Sequence, residues 1–129
     1  MANAEAGTRN FSARTTGYIV NDDGTILTPK RAVISASSSG ATQVVAAVTG
    51  KKIRVISLVV IIGGAANVKF QSNDGSATDI TGLLPLAANG GFSAGVSELG
   101  HFETASGARL DINLSAAVTA GGFMTYVEA

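Results

Sequence analysis

The chain's single histidine, His101, stands two residues before Glu103 and five before Ser106, in the stretch Gly-His-Phe-Glu-Thr-Ala-Ser-Gly at 100–107. An imidazole, a carboxylate and a hydroxyl are the parts of a nucleophilic hydrolase, in which the base takes the serine proton and the acid orients the base. On an extended segment residues 101 and 103 share a face, so an imidazole–carboxylate pair is geometrically allowed, and Ser106 lies just past it. Two features weigh against catalysis. A nucleophilic serine usually sits on a strained turn such as Gly-x-Ser-x-Gly, absent here, and a triad is recognised by geometry rather than by nearness in sequence. The simpler reading is the polar face of a strand followed by an Ala-Ser-Gly turn, and no enzyme is expected.

Other chemistry fares no better. With one histidine and no cysteine, the chain cannot supply the several histidines of a cupin metal site or a thiolate zinc site. Asn73, Asp74 and Asp79 in Ser-Asn-Asp-Gly-Ser-Ala-Thr-Asp offer oxygen ligands, but without the alternating acids and terminal glutamate of a calcium loop. In Val-Thr-Gly-Lys-Lys at 48–52, Val45 occupies the place of a phosphate loop's first glycine and Lys52 that of its Ser or Thr. The Gly-Gly pairs at 63, 90 and 121 precede no helix that would present its N-terminus to a phosphate, and they read as strand ends. No cofactor and no metal are expected.

Nine Lys plus Arg balance nine Asp plus Glu, which leaves no basic excess to follow a phosphate backbone or an anionic membrane surface. Neither nucleic acid nor a membrane is expected as a partner. The charged fraction is 14%, against about 25% in ordinary soluble domains. So thin a charge coat exposes neutral or apolar patches, and such patches mark contact surfaces. Much of the exterior is therefore expected to face other subunits. The first thirty residues hold no apolar run of signal-peptide length, so no export by that route is expected.

The elements that would carry these residues are strands. Residues 53–62, Ile-Arg-Val-Ile-Ser-Leu-Val-Val-Ile-Ile, are too few to span a bilayer as a helix, and their β-branched richness before a Gly-Gly stop predicts a long central strand. Strict alternation puts Ile53, Val55, Val59 and Ile61 on one face and Ile56, Leu58, Val60 and Ile62 on the other. Both faces are then apolar. A two-layer sandwich buries only one face of each sheet, so the second face, Ile56, Leu58, Val60 and Ile62, is expected to be covered by an arm or a neighbouring subunit and is the candidate subunit interface.

Half-buried alternation predicts further strands over 66–71 and 110–115, with shorter ones at 44–48, 77–81, 91–95, 101–104 and 123–127. Asp23-Gly24, Asp74-Gly75 and Asn89-Gly90 supply tight turns, and glycines at 50, 82, 100, 107 and 121 are expected to close other strands. Phe70, Phe92, Phe102, Phe123 and Tyr126 are expected in the core. Eight or so short strands without a helix predict an all-β, jelly-roll-like antiparallel β-sandwich with an extended N-terminal arm; an up-and-down barrel also fits the pattern. The expected division is an arm or hairpin over 1–37 and a sandwich domain over 38–129, with Ser-Ser-Ser-Gly at 37–40 as the boundary.

From about residue 30 onward, the succession VVAAVTGKKIRVISLVVIIGGAANVKFQS, DITGLLPLAANGGFSAG, GHFETASG and LDINLSAAVTAGGFMTYVE resembles small virion structural proteins of tailed bacteriophages. The resemblance covers roughly three quarters of the chain and rests on the phrases taken together. It implies a non-enzymatic virion component made in the bacterial host cytoplasm, a homotrimer that decorates and cements the capsid through contacts with itself and with the major capsid protein or other virion proteins. A tail, collar or fibre component, with a receptor- or carbohydrate-binding β-sandwich, is the alternative.

Overall fold

The computed structural model describes residues 19–21 and 23–129. Twelve strands and no helix are present among them: β1 (Ile19–Val20), β2 (Ile26–Leu27), β3 (Lys30–Ala36), β4 (Gly40–Val45), β5 (Ile53–Ile62), β6 (Ala66–Asn73), β7 (Ala77–Asp79), β8 (Leu84–Leu86), β9 (Gly91–Ala94), β10 (Phe102–Glu103), β11 (Arg109–Leu114) and β12 (Ala120–Glu128). In β6 and β11 apolar and polar residues alternate, the pattern that suits a half-buried sheet, whereas the longest strand, β5, is apolar on both faces. Turns fall where residues tolerate positive φ: Gly75 has φ +112° and its N–H bonds to the Asn73 side chain at 2.9 Å, while Asn89 takes φ +61° ahead of β9.

Two antiparallel five-stranded sheets make the body. In the β5 sheet, β5 lies between β12 and a broken edge strand made of β9 and β10, and β3 forms the far edge beyond β12. In the β6 sheet the order is β4, β11, β6, then an edge split into β7 and β8. Counting each split edge as one, the first and last of eight strand positions, β3 and β12, are neighbours in one sheet, and the second and seventh, β4 and β11, are neighbours in the other. This nesting of outer strands around inner ones is the jelly roll, two interlocked Greek keys.

The core lies between the sheets. Ile34, Val55, Leu58, Val60, Ile62 and Met124 meet Val68, Phe70, Leu110, Ile112 and Leu114, all almost wholly buried. Phe70 packs on the half-buried Phe102 with ring centroids 5.0 Å apart at 32°. Each such side chain contributes on the order of 1.5–3 kcal/mol through burial, which makes this layer the chief support of the fold.

One irregularity in β5 decides which side chains reach the core. Tyr126 of β12 pairs with Val55 and Thr125 pairs with Ser57, so Ile56 is an extra, unpaired residue, a β-bulge. Ile53 and Val55 face the core before the bulge, and Leu58, Val60 and Ile62 face it after. Ile56 is turned to the outside of the sheet, where it packs with Val127, Ile19 and Leu27 in a second small cluster under the β1–β2 hairpin.

The sandwich begins earlier than position 38. β3 contributes Ile34 and Ala36 to the core, and Ser37–Gly40 is the crossing from the β5 sheet to the β6 sheet, with Gly40 at φ +94°. Small residues on either side of that crossing, together with the serine run, give it the composition of a linker. Of the expected arm, residues 1–18 and 22 lie outside the described residues, and β1 and β2 pair as a hairpin.

Candidate assembly surface

His101, Glu103 and Ser106 are brought to one edge of the β5 sheet without forming a catalytic set. The exposed His101 ring donates from Nε2 to the Gly95 carbonyl at 2.6 Å and so ties off the loop between β9 and β10. Glu103 turns to its strand neighbour instead: Arg54 Nε approaches its Oε1 at 2.9 Å and Lys52 Nζ its Oε2 at 3.3 Å. Partial burial works to raise the Glu103 pKa, but the bonds and charges of Arg54 and Lys52 outweigh it and hold the carboxyl below its ordinary value. Ser106 is exposed in the turn after β10. The work in that turn is done by Thr104, whose hydroxyl accepts from the Ile53 N–H at 2.9 Å and donates to the Ala105 carbonyl at 3.0 Å.

The oxygen ligands at 73–79 also diverge. Asn73 spends its side chain on Asp111 and the Gly75 N–H, Asp74 accepts from the Ser76 N–H, and Asp79 takes Gln71 at 2.8 Å and Lys69 at 3.1 Å. The Gln71 and Lys69 hydrogen bonds together depress the Asp79 pKa. Among the described residues no three His, Cys, Asp or Glu side chains are grouped to hold a metal ion.

These bonds belong to a lattice that covers the outside of the β6 sheet. Asn113 donates to Gln71 at 3.1 Å, Gln71 to Asp79, and Lys69 pairs with Asp79. Beside it, Asp111 is fully buried under Arg109: Arg109 Nε lies 2.9 Å from Oδ1 but out of line, while Arg109 Nη2 donates to Oδ2 at 3.3 Å and Asn73 donates to the same oxygen at 2.9 Å. An open groove of about 450 Å³ runs past Asn73, Asp74 and Arg109, with both charge signs and no nucleophile in its walls. This exterior is polar and largely satisfied from within.

The outside of the β5 sheet is its opposite. Strand pairing sets Val33, Phe123, Val59 and Ser93 in one row and Ser35, Gly121, Ile61 and Gly91 in the next. Val33 is 75% exposed, Phe123 61% and Ile61 55%. The row of Arg31, Thr125 and Ser57 separates these residues from Ile56 and Val127, which the β1–β2 hairpin covers. Among the described residues, this sheet face is thus covered by a hairpin at one end and is apolar and exposed at the other.

This redraws the expected interface. Ile56, Leu58, Val60 and Ile62 are each 2% exposed or less: three belong to the sandwich core and Ile56 to the hairpin cluster. The bulge is the cause, because it inverts the alternation between Val55 and Leu58 and sends Val59 and Ile61 outward in their place. Phe123, expected in the core with the other aromatics, is outside for a reason legible in its spacing. It lies three residues from Tyr126, an odd separation, and Tyr126 packs on the core with Met124. Gly121 does not close a strand either but lies inside β12.

A scan against protein-family models finds no match for the chain, and a search of curated proteins finds none.

Proposed function

We propose that this chain is a non-enzymatic structural subunit of a bacteriophage virion, a capsid decoration protein whose copies associate, as a trimer, through the outside of the β5 sheet. The observation that carries the reading is the contrast between the two exteriors: a bonded polar lattice over the β6 sheet, and Val33, Ile61 and Phe123 more than half exposed on the β5 sheet. An apolar patch on a chain with a 14% charged fraction marks a contact surface. The jelly roll is a frequent scaffold of viral shells, and the sequence resembles small phage virion proteins over three quarters of its length.

As a decoration protein it acts by mass action. Binding the assembled shell and not its separated parts shifts the equilibrium toward the shell, and an oligomer with several weak contacts binds far more tightly than one copy. Light scattering of the purified protein, together with co-sedimentation with empty shells, tests the reading. A stable oligomer that pellets with shells is expected; a monomer at micromolar concentration that stays in the supernatant would overturn it.

A further inference from the structure

The loop between β9 and β10 is held firmly, yet it carries both of its apolar side chains outward. The Ser97 N–H donates to the Ile56 carbonyl at 3.0 Å, the Gly100 N–H to the Ser97 carbonyl at 3.0 Å and the His101 N–H to the Val55 carbonyl at 2.8 Å. Ser97 to Gly100 is therefore a closed β-turn fixed to the edge of β5. Val96 is 77% exposed and Leu99, inside the turn, 88%, the two highest values among the large hydrophobic residues described. Turns ordinarily carry polar residues or glycine at such places. A leucine on a backbone already fixed is a knob that has little freedom left to lose on docking.

The outside of the same sheet holds a depression. Gly121 lies inside β12 without a positive φ, and among the described residues a side chain built there would meet nothing within 4 Å. Gly122 and Gly91 differ, since a Cβ on either would run into the Val59 or Val60 carbonyl. A glycine that the fold does not require weakens its strand, and it marks a place where another chain approaches closely. Ser35 and Ile61 flank Gly121 across the strands, and Phe123 follows two residues on, on the same exposed face.

We propose that copies of this chain join head to tail, Leu99 of one copy seated over Gly121 of the next, with Val96 against the Phe123 ring. The inference rests on the assembly reading above and names what its surface receives. Within one chain the two parts cannot meet: the turn is bonded at Ile56, whereas Gly121 pairs with Ile61, about 16 Å farther along β5. The contact removes the two most exposed large side chains from water together with Phe123 and Ile61, so one docking event covers both surfaces. A knob and a depression on different parts of one chain make a heterologous contact. Its repetition closes a ring, which three copies can form, whereas a two-fold pair would set one patch against itself.

The absence of cysteine makes a clean test. The full-length Leu99→Cys, Gly121→Cys double variant is oxidised and run on a non-reducing gel, with each single variant as a control. A disulfide needs Cα atoms within about 7 Å, so the separation within one chain leaves only links between copies. A ladder of linked species that passes the dimer and ends at the size of the native oligomer is expected. No link would overturn the proposal, as would links that stop at the dimer, the mark of a two-fold contact. Maleimide labelling of Ser35→Cys, a near-isosteric change beside Gly121, separates this from the reading beneath it. If that thiol reacts roughly tenfold more slowly in the oligomer than in dilute monomer but no link forms, the face is an interface with another occupant and only the Leu99 assignment falls. Full reactivity in a protein that scatters as a monomer removes both.

Discussion

Phe123 and Val59 are cross-strand partners on the outside of the β5 sheet, and Phe123 keeps 61% of its surface exposed in the single chain. A ring so placed adds little to folding and much to any contact made through that face. Phe123→Ser is expected to change the unfolding free energy of the monomer by about 0.5 kcal/mol or less, as exposed substitutions do. The same change is expected to weaken self-association roughly tenfold or more, the equivalent of a lost buried aromatic. Urea unfolding and sedimentation equilibrium on one preparation check both halves.

Leu58 serves as the converse control. It is 2% exposed within the chain, so Leu58→Ala is expected to cost about 2–5 kcal/mol. That loss should not depend on protein concentration. Were Leu58 at a subunit contact, the loss would shrink on dilution as the oligomer dissociates, and a dilution series of urea midpoints distinguishes the cases.

The Glu103 carboxyl predicts a pH dependence. Its folded pKa is depressed by Arg54 and Lys52, so the stabilisation is fully present above the ordinary glutamate value and is lost as pH falls through the depressed one. Wild type and Glu103→Gln should therefore differ most at neutral pH and converge in acid. Urea midpoints measured from pH 7 down to about pH 3 give the curve. A difference that grows on acidification would contradict the assignment.

Asp111 should be costly to lose despite lying on the outer side of its sheet. Asp111→Ala strips Asn73 Nδ2 of its acceptor and leaves Arg109 without its counter-charge, for an expected loss of about 1–3 kcal/mol. In the Arg109→Ala background the loss should be smaller, since the two side chains act together; strict additivity would show they are independent.

Much of the fold was legible in the chain. The 53–62 strand falls where its β-branched run predicts, and Asp74-Gly75 and Asn89-Gly90 mark real turns. What escaped was the facing of side chains. Arg54 and Ser57 carry the clue: three apart, they lie on opposite faces of a regular strand and on the same outer face only if one residue is inserted between them. β3 escaped because Ala32, Ile34 and Ala36 make a weak apolar stripe beside a serine run. The bare surface was missed for the reason that hides most interfaces, since Val33 and Phe123 look like core residues until the pairing shows which way they point.

The bulge at Ile56 has a consequence for the history of the molecule. A single inserted residue supplies the β5 contribution to the leading hairpin's anchor, while the sandwich layer takes its β5 side chains from Val55 and Leu58 on either side. Removing that residue would restore even spacing along the ribbon and release the leader, yet leave the body's interior intact. Attachment and architecture can therefore change separately in this chain, by the gain or loss of one codon.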